Sequence, residues 1–212
     1  MSKDSFKNRI LDSSYSGIEL PISQEWANTT DRSGWLRIHA LRTGLVNPIF
    51  HVVSKQILGN HITASTKLEF DPKDNFQQAG LVAFFDIYNW YFLYLTLDPE
   101  TQSICLQIQS SSDNEVINHL RELPDLQKAK SVQLKISLED DKILFYYSSI
   151  KHRWHKVGAS LSTKTLMDRS NVTKIENKLV TDKDLYIGMG LRNTSDKDAQ
   201  ADFDYFNFVI HE

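Results

Sequence analysis

The chain has 212 residues, of which 41% are hydrophobic and 24% charged, with a net charge of −3. That composition supports a sizeable apolar core, and the length suits one large β domain or two small ones. It excludes the basic field that nucleic acid or an anionic membrane surface would require. The lone cysteine, Cys105, excludes an intramolecular disulfide and a cysteine-based zinc cage, and is expected to be a buried small hydrophobe.

The opening "MSKDSFKNRILDSSYSG" has no apolar run of signal-peptide length, and no stretch is long enough to span a membrane, so a cytoplasmic protein is expected. The N-x-S/T triplets at Asn28, Asn171 and Asn193 are then chance matches. Strands are predicted at Leu36–Ala40, Ile49–Ser54 and His61–Phe70. Residues Asn75 to Asp98 follow, holding eight aromatic residues. They read as two strands, Gly80–Ile87 and Trp90–Leu97, with Tyr88-Asn89 at the corner. Leu81, Ala83, Phe85 and Ile87 fall on one face, Val82, Phe84 and Asp86 on the other. The second strand is apolar or aromatic on both faces too. That pattern marks strands in the middle of a sandwich rather than a ligand platform.

A further strand is predicted at Ser103–Gln109, and "NEVINHLREL" is ambiguous between a strand and a helical turn. In "SVQLKISLED", Val132, Leu134, Ile136 and Leu138 alternate with polar residues at the period of a half-buried strand. Asp140-Asp141 supplies a turn, and "KILFYYSSI" returns as the second arm of a hairpin. Trp154–Gly158, Leu185–Leu191 and Ala201–Ile210 complete the strands. One short helix is predicted within "SLSTKTLMDRS", and a long loop over Asp168–Asp184. The fold class is all-β: an antiparallel two-sheet β-sandwich. No linker composition divides the chain.

Few motifs carry chemistry. In "His152-Arg153-Trp154-His155" the two imidazoles, three apart on a strand, point to opposite faces and cannot share an ion. No nucleophile elbow G-x-S-x-G occurs, and Gly188 to Asn193 fails a dinucleotide fingerprint at its third glycine. No catalytic residue is assigned. Asp202 and Asp204, two apart on a strand, share a face and are candidates for a structural Ca²⁺ site or for tethering the last strand. A carbohydrate site needs an aromatic face with planar polar groups. Trp26, Trp35, Trp154, Arg42 and Gln78 offer such groups, and the residues chosen are Trp90, Tyr88, Gln77 and Arg37. Trp90, after the corner, is expected to be partly exposed.

Five segments carry a resemblance: "SGWLRI" (Ser33 to Ile38), "TKLEFDP" (Thr66 to Pro72), "FQQAGLVAFFDIYNWYFLYLTLD" (Phe76 to Asp98), "KILFYYSSIKHRWHKVG" (Lys142 to Gly158) and "ADFDYFNFVIHE" (Ala201 to Glu212). In order and spacing they resemble the C-terminal concanavalin A-like β-sandwich of glycoside hydrolase family 43 β-xylosidases. The resemblance implies a jelly-roll sandwich over residues 30–212, with residues 1–29 a lead-in packing on it. It also implies that the catalytic carboxylates lie elsewhere, on a separate N-terminal five-bladed propeller against which the sandwich packs. In that family a sandwich loop lends an aromatic residue to the substrate pocket. Here the matching segment is "DKDLYIGM" (Asp182 to Met189), with Asp182 at the aromatic position. Ser54 to Ile62 and Ser148 to Trp154 depart from the family pattern as well. The resemblance therefore implies a non-catalytic accessory module that binds an oligosaccharide or docks on a glycoside hydrolase propeller. The alternative is a subunit or fragment that completes a propeller's active site, and Asp182 argues against it.

Overall fold

A computed structural model of the chain describes residues 2–18, 20–40, 50–112, 115–122, 131–150, 153–167 and 184–211. Fifteen strands and one short helix follow one another in these segments. The strands are β1 (Ser2–Asp4), β2 (Ser16–Gly17), β3 (Ala27–Asn28), β4 (Leu36–His39), β5 (Phe50–Gln56), β6 (His61–Phe70), β7 (Gln77–Asp86) and β8 (Asn89–Leu97). They continue with β9 (Ile104–Ser112), β10 (Glu115–Glu122), β11 (Val132–Glu139), β12 (Lys142–Ser148), β13 (His155–Ser162), β14 (Tyr186–Asn193) and β15 (Gln200–Ile210).

Two antiparallel sheets stack face to face. The first runs β13-β12-β11-β6-β15-β4-β3, with β1 also paired to β15; the second runs β10-β9-β8-β7-β14-β5-β2. From β4 onward the chain crosses between sheets at β4 to β5, β5 to β6, β6 to β7, β10 to β11, β13 to β14 and β14 to β15, as in a jelly roll. The first 29 residues add β1 and β3 to the first sheet and β2 to the edge of the second.

Period-two alternation builds the core. Val132, Leu134, Ile136 and Leu138 of β11 face Leu81, Ala83, Leu93, Leu95 and Ile108 of the opposite sheet in one continuous cluster. Strands β7 and β8 are central, so their second face is apolar as well. Phe50, Val52, Val82, Phe84, Trp90, Phe92 and Tyr94 form a separate buried cluster there. Glycine permits the closest approach: a methyl group on Gly80 would lie 2.0 Å from the Leu93 carbonyl oxygen.

Three local readings are refined. "NEVINHLREL" supplies a strand, β10, bulged between Asn118 and Leu120. The predicted helix shrinks to α1, Thr163–Leu166, capped by the Ser162 hydroxyl, because the preceding residues pair in β13. Asp140 takes a positive φ of 54° at the corner of the β11–β12 hairpin, a conformation Asp tolerates better than most residues. Ile49, Arg42, His152, Asp182 and the stretch 168–183 lie outside the described residues.

Candidate functional site

The four residues chosen for sugar binding are not brought together. Arg37 is on the first sheet, Gln77 begins β7, and Tyr88 and Trp90 flank the far end of that strand, on the order of 30 Å away at strand rise. Trp90 is 4% exposed. Its ring meets Phe50 edge-on at 5.1 Å, and the Arg192 guanidinium lies over it at 5.7 Å. Asp86 fixes the corner by accepting from the Tyr88 backbone N–H and the Asn89 side-chain amide, both at 2.9 Å. Gln77 is buried with its carboxamide fully used. Its Oε1 accepts from the Lys73 N–H at 2.8 Å, and its Nε2 donates to the carbonyls of Lys197 and Asp198. Trp26 is buried, while Trp35 is half-buried beneath Arg32 at 3.7 Å.

Asp202 and Asp204 do share the outer face of the first sheet. A bulge between Phe203 and Phe206 sends both Asp204 and Tyr205 away from the core. Both carboxylates are held by cationic side chains. Arg37 grips Asp202 at both oxygens, Arg32 adds a bond at 2.8 Å and bridges to Glu69, and Lys67 pairs with Asp204. Burial pushes the Asp202 carboxyl up, but the hydrogen bonds from Arg37 and Arg32 prevail and hold it below the ordinary carboxylate value. Two guanidinium groups on one carboxylate leave a repulsive field for a further cation. Among the described residues no group of three or more His, Cys, Asp or Glu is arranged to hold a metal ion.

The outer face of the second sheet carries a cleft of about 580 Å³, lined by Asn75, Phe76, Gln78, Gln107, Gln109 and Asn118 with neighbours from β10. Strand pairing makes it. Gln107 of β9 sits opposite Tyr94 of β8 and Arg121 of β10, and Gln109 sits opposite Phe92 and Asn118. Donors from neighbouring side chains orient the carboxamides. Tyr94 donates its hydroxyl to Gln107 Oε1 at 2.7 Å, Arg192 Nη1 donates to Gln78 Oε1 at 3.1 Å, and Gln109 Nε2 donates to Asn118 Oδ1 at 2.6 Å. Gln109 Oε1 is buried and has no hydrogen-bond partner.

The charges at the rim are compensated. Arg121 pairs with the buried Asp98 and with Glu100 at 3.3 Å. Backbone N–H groups of Thr101 and Glu100, together with Arg121, bring the Asp98 carboxyl down to about 2. His119 contacts the Ser110 hydroxyl at 2.7 Å, and burial lowers its pKa, keeping the ring neutral at pH 7.

Of these residues only Gln78 figured among the sequence candidates. "Gln107-Ile-Gln109-Ser-Ser111" shows polar residues two apart and hence on one face, and that was the available signal. Which strands would flank it was not.

Residues 3–209 match the family described as the β-xylosidase C-terminal concanavalin A-like domain. A β-xylosidase of Bacillus subtilis (strain 168) is 30% identical over 210 residues, covering 97% of this chain and 38% of its own. A xylan 1,3-β-xylosidase of a Vibrio species is 23% identical over 212 residues, again across 38% of its length. Among solved structures, xylan β-1,4-xylosidase from Bacillus halodurans C-125 superposes with a TM-score of 0.85 at 24% identity, over 98% of this chain and 39% of that one. The chain thus spans about 38% of the length of the curated relatives it matches. With two antiparallel sheets stacked as a sandwich and a family match across nearly all its length, the chain belongs to the family of β-xylosidase C-terminal concanavalin A-like domains.

Proposed function

We propose that this chain is a non-catalytic accessory sandwich that docks on the catalytic propeller of a family 43 glycoside hydrolase acting on xylan-type oligosaccharides. The observation that carries this reading is the family match over residues 3–209, set beside relatives in which such a domain is about 38% of the polypeptide.

The surface at one end of the sandwich supports it. The turn after β5, the β7–β8 corner, the start of β14, helix α1 and the end of β15 all converge there, joined by bonds from the Ile57 N–H to the Leu185 carbonyl, the Tyr91 hydroxyl to the Ser162 carbonyl and the His211 N–H to the His61 carbonyl. That end exposes Leu58, Ile87, Met167 and Ile210, with Leu58 66% exposed. Large apolar side chains gathered at a loop end mark an interaction surface rather than a solvated one.

The test is to mix the purified chain with the propeller of a family 43 β-xylosidase expressed without its own sandwich, and to follow the mixture by size exclusion. Co-elution is expected. Leu58→Asp together with Ile210→Asp should weaken the complex about a hundredfold, since two buried apolar anchors are lost. Separate elution of the unaltered chain at micromolar concentrations would overturn the reading.

A further inference from the structure

We propose that the carboxamide-lined cleft on the outer face of the second sheet binds a neutral oligosaccharide. This site is separate from the apolar end, so the inference goes beyond docking and does not depend on it.

The chemistry of the lining selects the ligand class. A sugar hydroxyl donates one hydrogen bond and accepts others, and a carboxamide offers two donors and one acceptor in a plane. In this cleft the acceptor oxygens of Gln78, Gln107 and Asn118 are engaged by Arg192, Tyr94 and Gln109. Gln107 Nε2 donates in turn to the Cys105 sulfur at 3.4 Å, which leaves the NH₂ groups of Gln78 and Asn118 as the donors of the cleft. Gln109 Oε1 supplies the complementary acceptor, buried at the cleft wall and without a hydrogen-bond partner, a state that a donor from a ligand relieves. Donors and an acceptor held side by side at strand spacing match neighbouring hydroxyls along a sugar chain.

Phe76 completes the set. Its side chain is 55% exposed at the cleft, while its backbone is held by bonds from its N–H to Asp74 Oδ1 and from Thr194 N–H to its carbonyl. A fixed, exposed ring beside polar groups is a stacking surface for the C–H face of a sugar. The volume of about 580 Å³ is within the range of small-ligand clefts, roughly 300–1,000 Å³.

Charge decides against other ligands. Arg121 is committed to Asp98 and Glu100, and among the described residues no other lysine or arginine lines the cleft. Among these residues a phosphate or uronate meets no free cation, and an ammonium ligand no free carboxylate. A chain of neutral hydroxyls loses nothing by this.

The test is titration of the isotopically labelled full chain with xylotetraose, cellotetraose and maltotetraose, read from the side-chain NH₂ resonances of glutamine and asparagine by NMR. Saturable shifts of the Gln78, Gln107, Gln109 and Asn118 amides with at least one of the three sugars are expected. Gln109→Ala and Phe76→Ala should each raise Kd about tenfold. Phe76 is exposed, so its variant keeps the native backbone spectrum and separates lost binding from lost folding. Trigalacturonate should give no shift of these amides. The proposal is overturned if none of the three neutral sugars shifts them at millimolar concentration, or if binding survives both substitutions unchanged. Failure here leaves the docking reading standing, because Leu58 and Ile210 lie at the opposite end of the sandwich.

Discussion

Arg37 and Asp202 face each other across the β4–β15 pair, with Nε 2.6 Å from one carboxylate oxygen and Nη2 2.8 Å from the other. The sequence suggested different roles for them, one as a sugar contact and the other as a metal ligand. In the folded chain each is the other's partner, and the fork geometry of guanidinium on carboxylate uses both functional ends.

Arg37→Ala should therefore destabilise the sandwich by about 2 kcal/mol, the scale of a lost charge-assisted hydrogen bond, with Arg32 retaining part of the compensation. Urea unfolding at pH 7 measures this. The folded carboxyl of Asp202 lies below its unfolded value, so its contribution is complete above about pH 4 and is lost as pH falls through the folded pKa. The difference between Arg37→Ala and the unaltered chain should shrink below that pH. Melting curves with Ca²⁺ and with EDTA should superimpose; a higher Tm with Ca²⁺ would place a cation on these carboxylates.

Trp90 should prove a core residue when truncated. Trp90→Ala removes the ring that packs on Phe50 and Phe92 and should cost about 3–5 kcal/mol. Chemical denaturation would show it, and Trp90→Phe should recover most of the loss. A variant of unchanged stability would contradict the burial of this side chain.

Two glycines on the same face of the second sheet should respond in opposite ways. A methyl group at Gly80 would meet the Leu93 carbonyl oxygen at 2.0 Å and the Tyr94 Cα at 2.7 Å, so Gly80→Ala should cost about 3 kcal/mol or prevent folding. At Gly190 the nearest atoms are the flexible ends of Val82, Phe92 and Val52 at 3.5–3.7 Å. Gly190→Ala should shift stability by about 1 kcal/mol or less. Paired thermal melts distinguish the two.

The turn after β8 should carry a pH signature. Asp98 accepts from the Thr101 and Glu100 N–H groups at 2.9 and 3.0 Å and pairs with Arg121, which brings its pKa to about 2. Its contribution is fully present above the unfolded value near 3.8 and disappears as pH falls through about 2. Asp98→Asn should lower Tm at pH 7, and the difference from the unaltered chain should vanish near pH 2. A gap independent of pH would mean that the charge on Asp98 does not hold this turn.

Much of the fold was legible in the chain. Val132, Leu134, Ile136 and Leu138 announced a one-sided strand, and residues 80–97, apolar on both faces, announced central strands. The Phe76–Asp98 run and the "ADFDYFNF" ending carry the family resemblance. The placement of candidate site residues was less legible. Trp90 read as a residue after a corner, exposed by analogy with turns. Pairing instead set it against Phe50 of β5, a strand more than thirty residues earlier in the chain.

The reason is physical. Period-two alternation, turn residues and glycine content are local, so the sequence by itself determined strand identity, the faces of each strand and the sandwich class. Register between strands distant in sequence is set by the packing of the whole domain. Only that register aligned Gln78 of β7, Gln107 and Gln109 of β9 and Asn118 of β10 on one cleft, turned Asp204 outward through a bulge, and closed Arg37 onto Asp202.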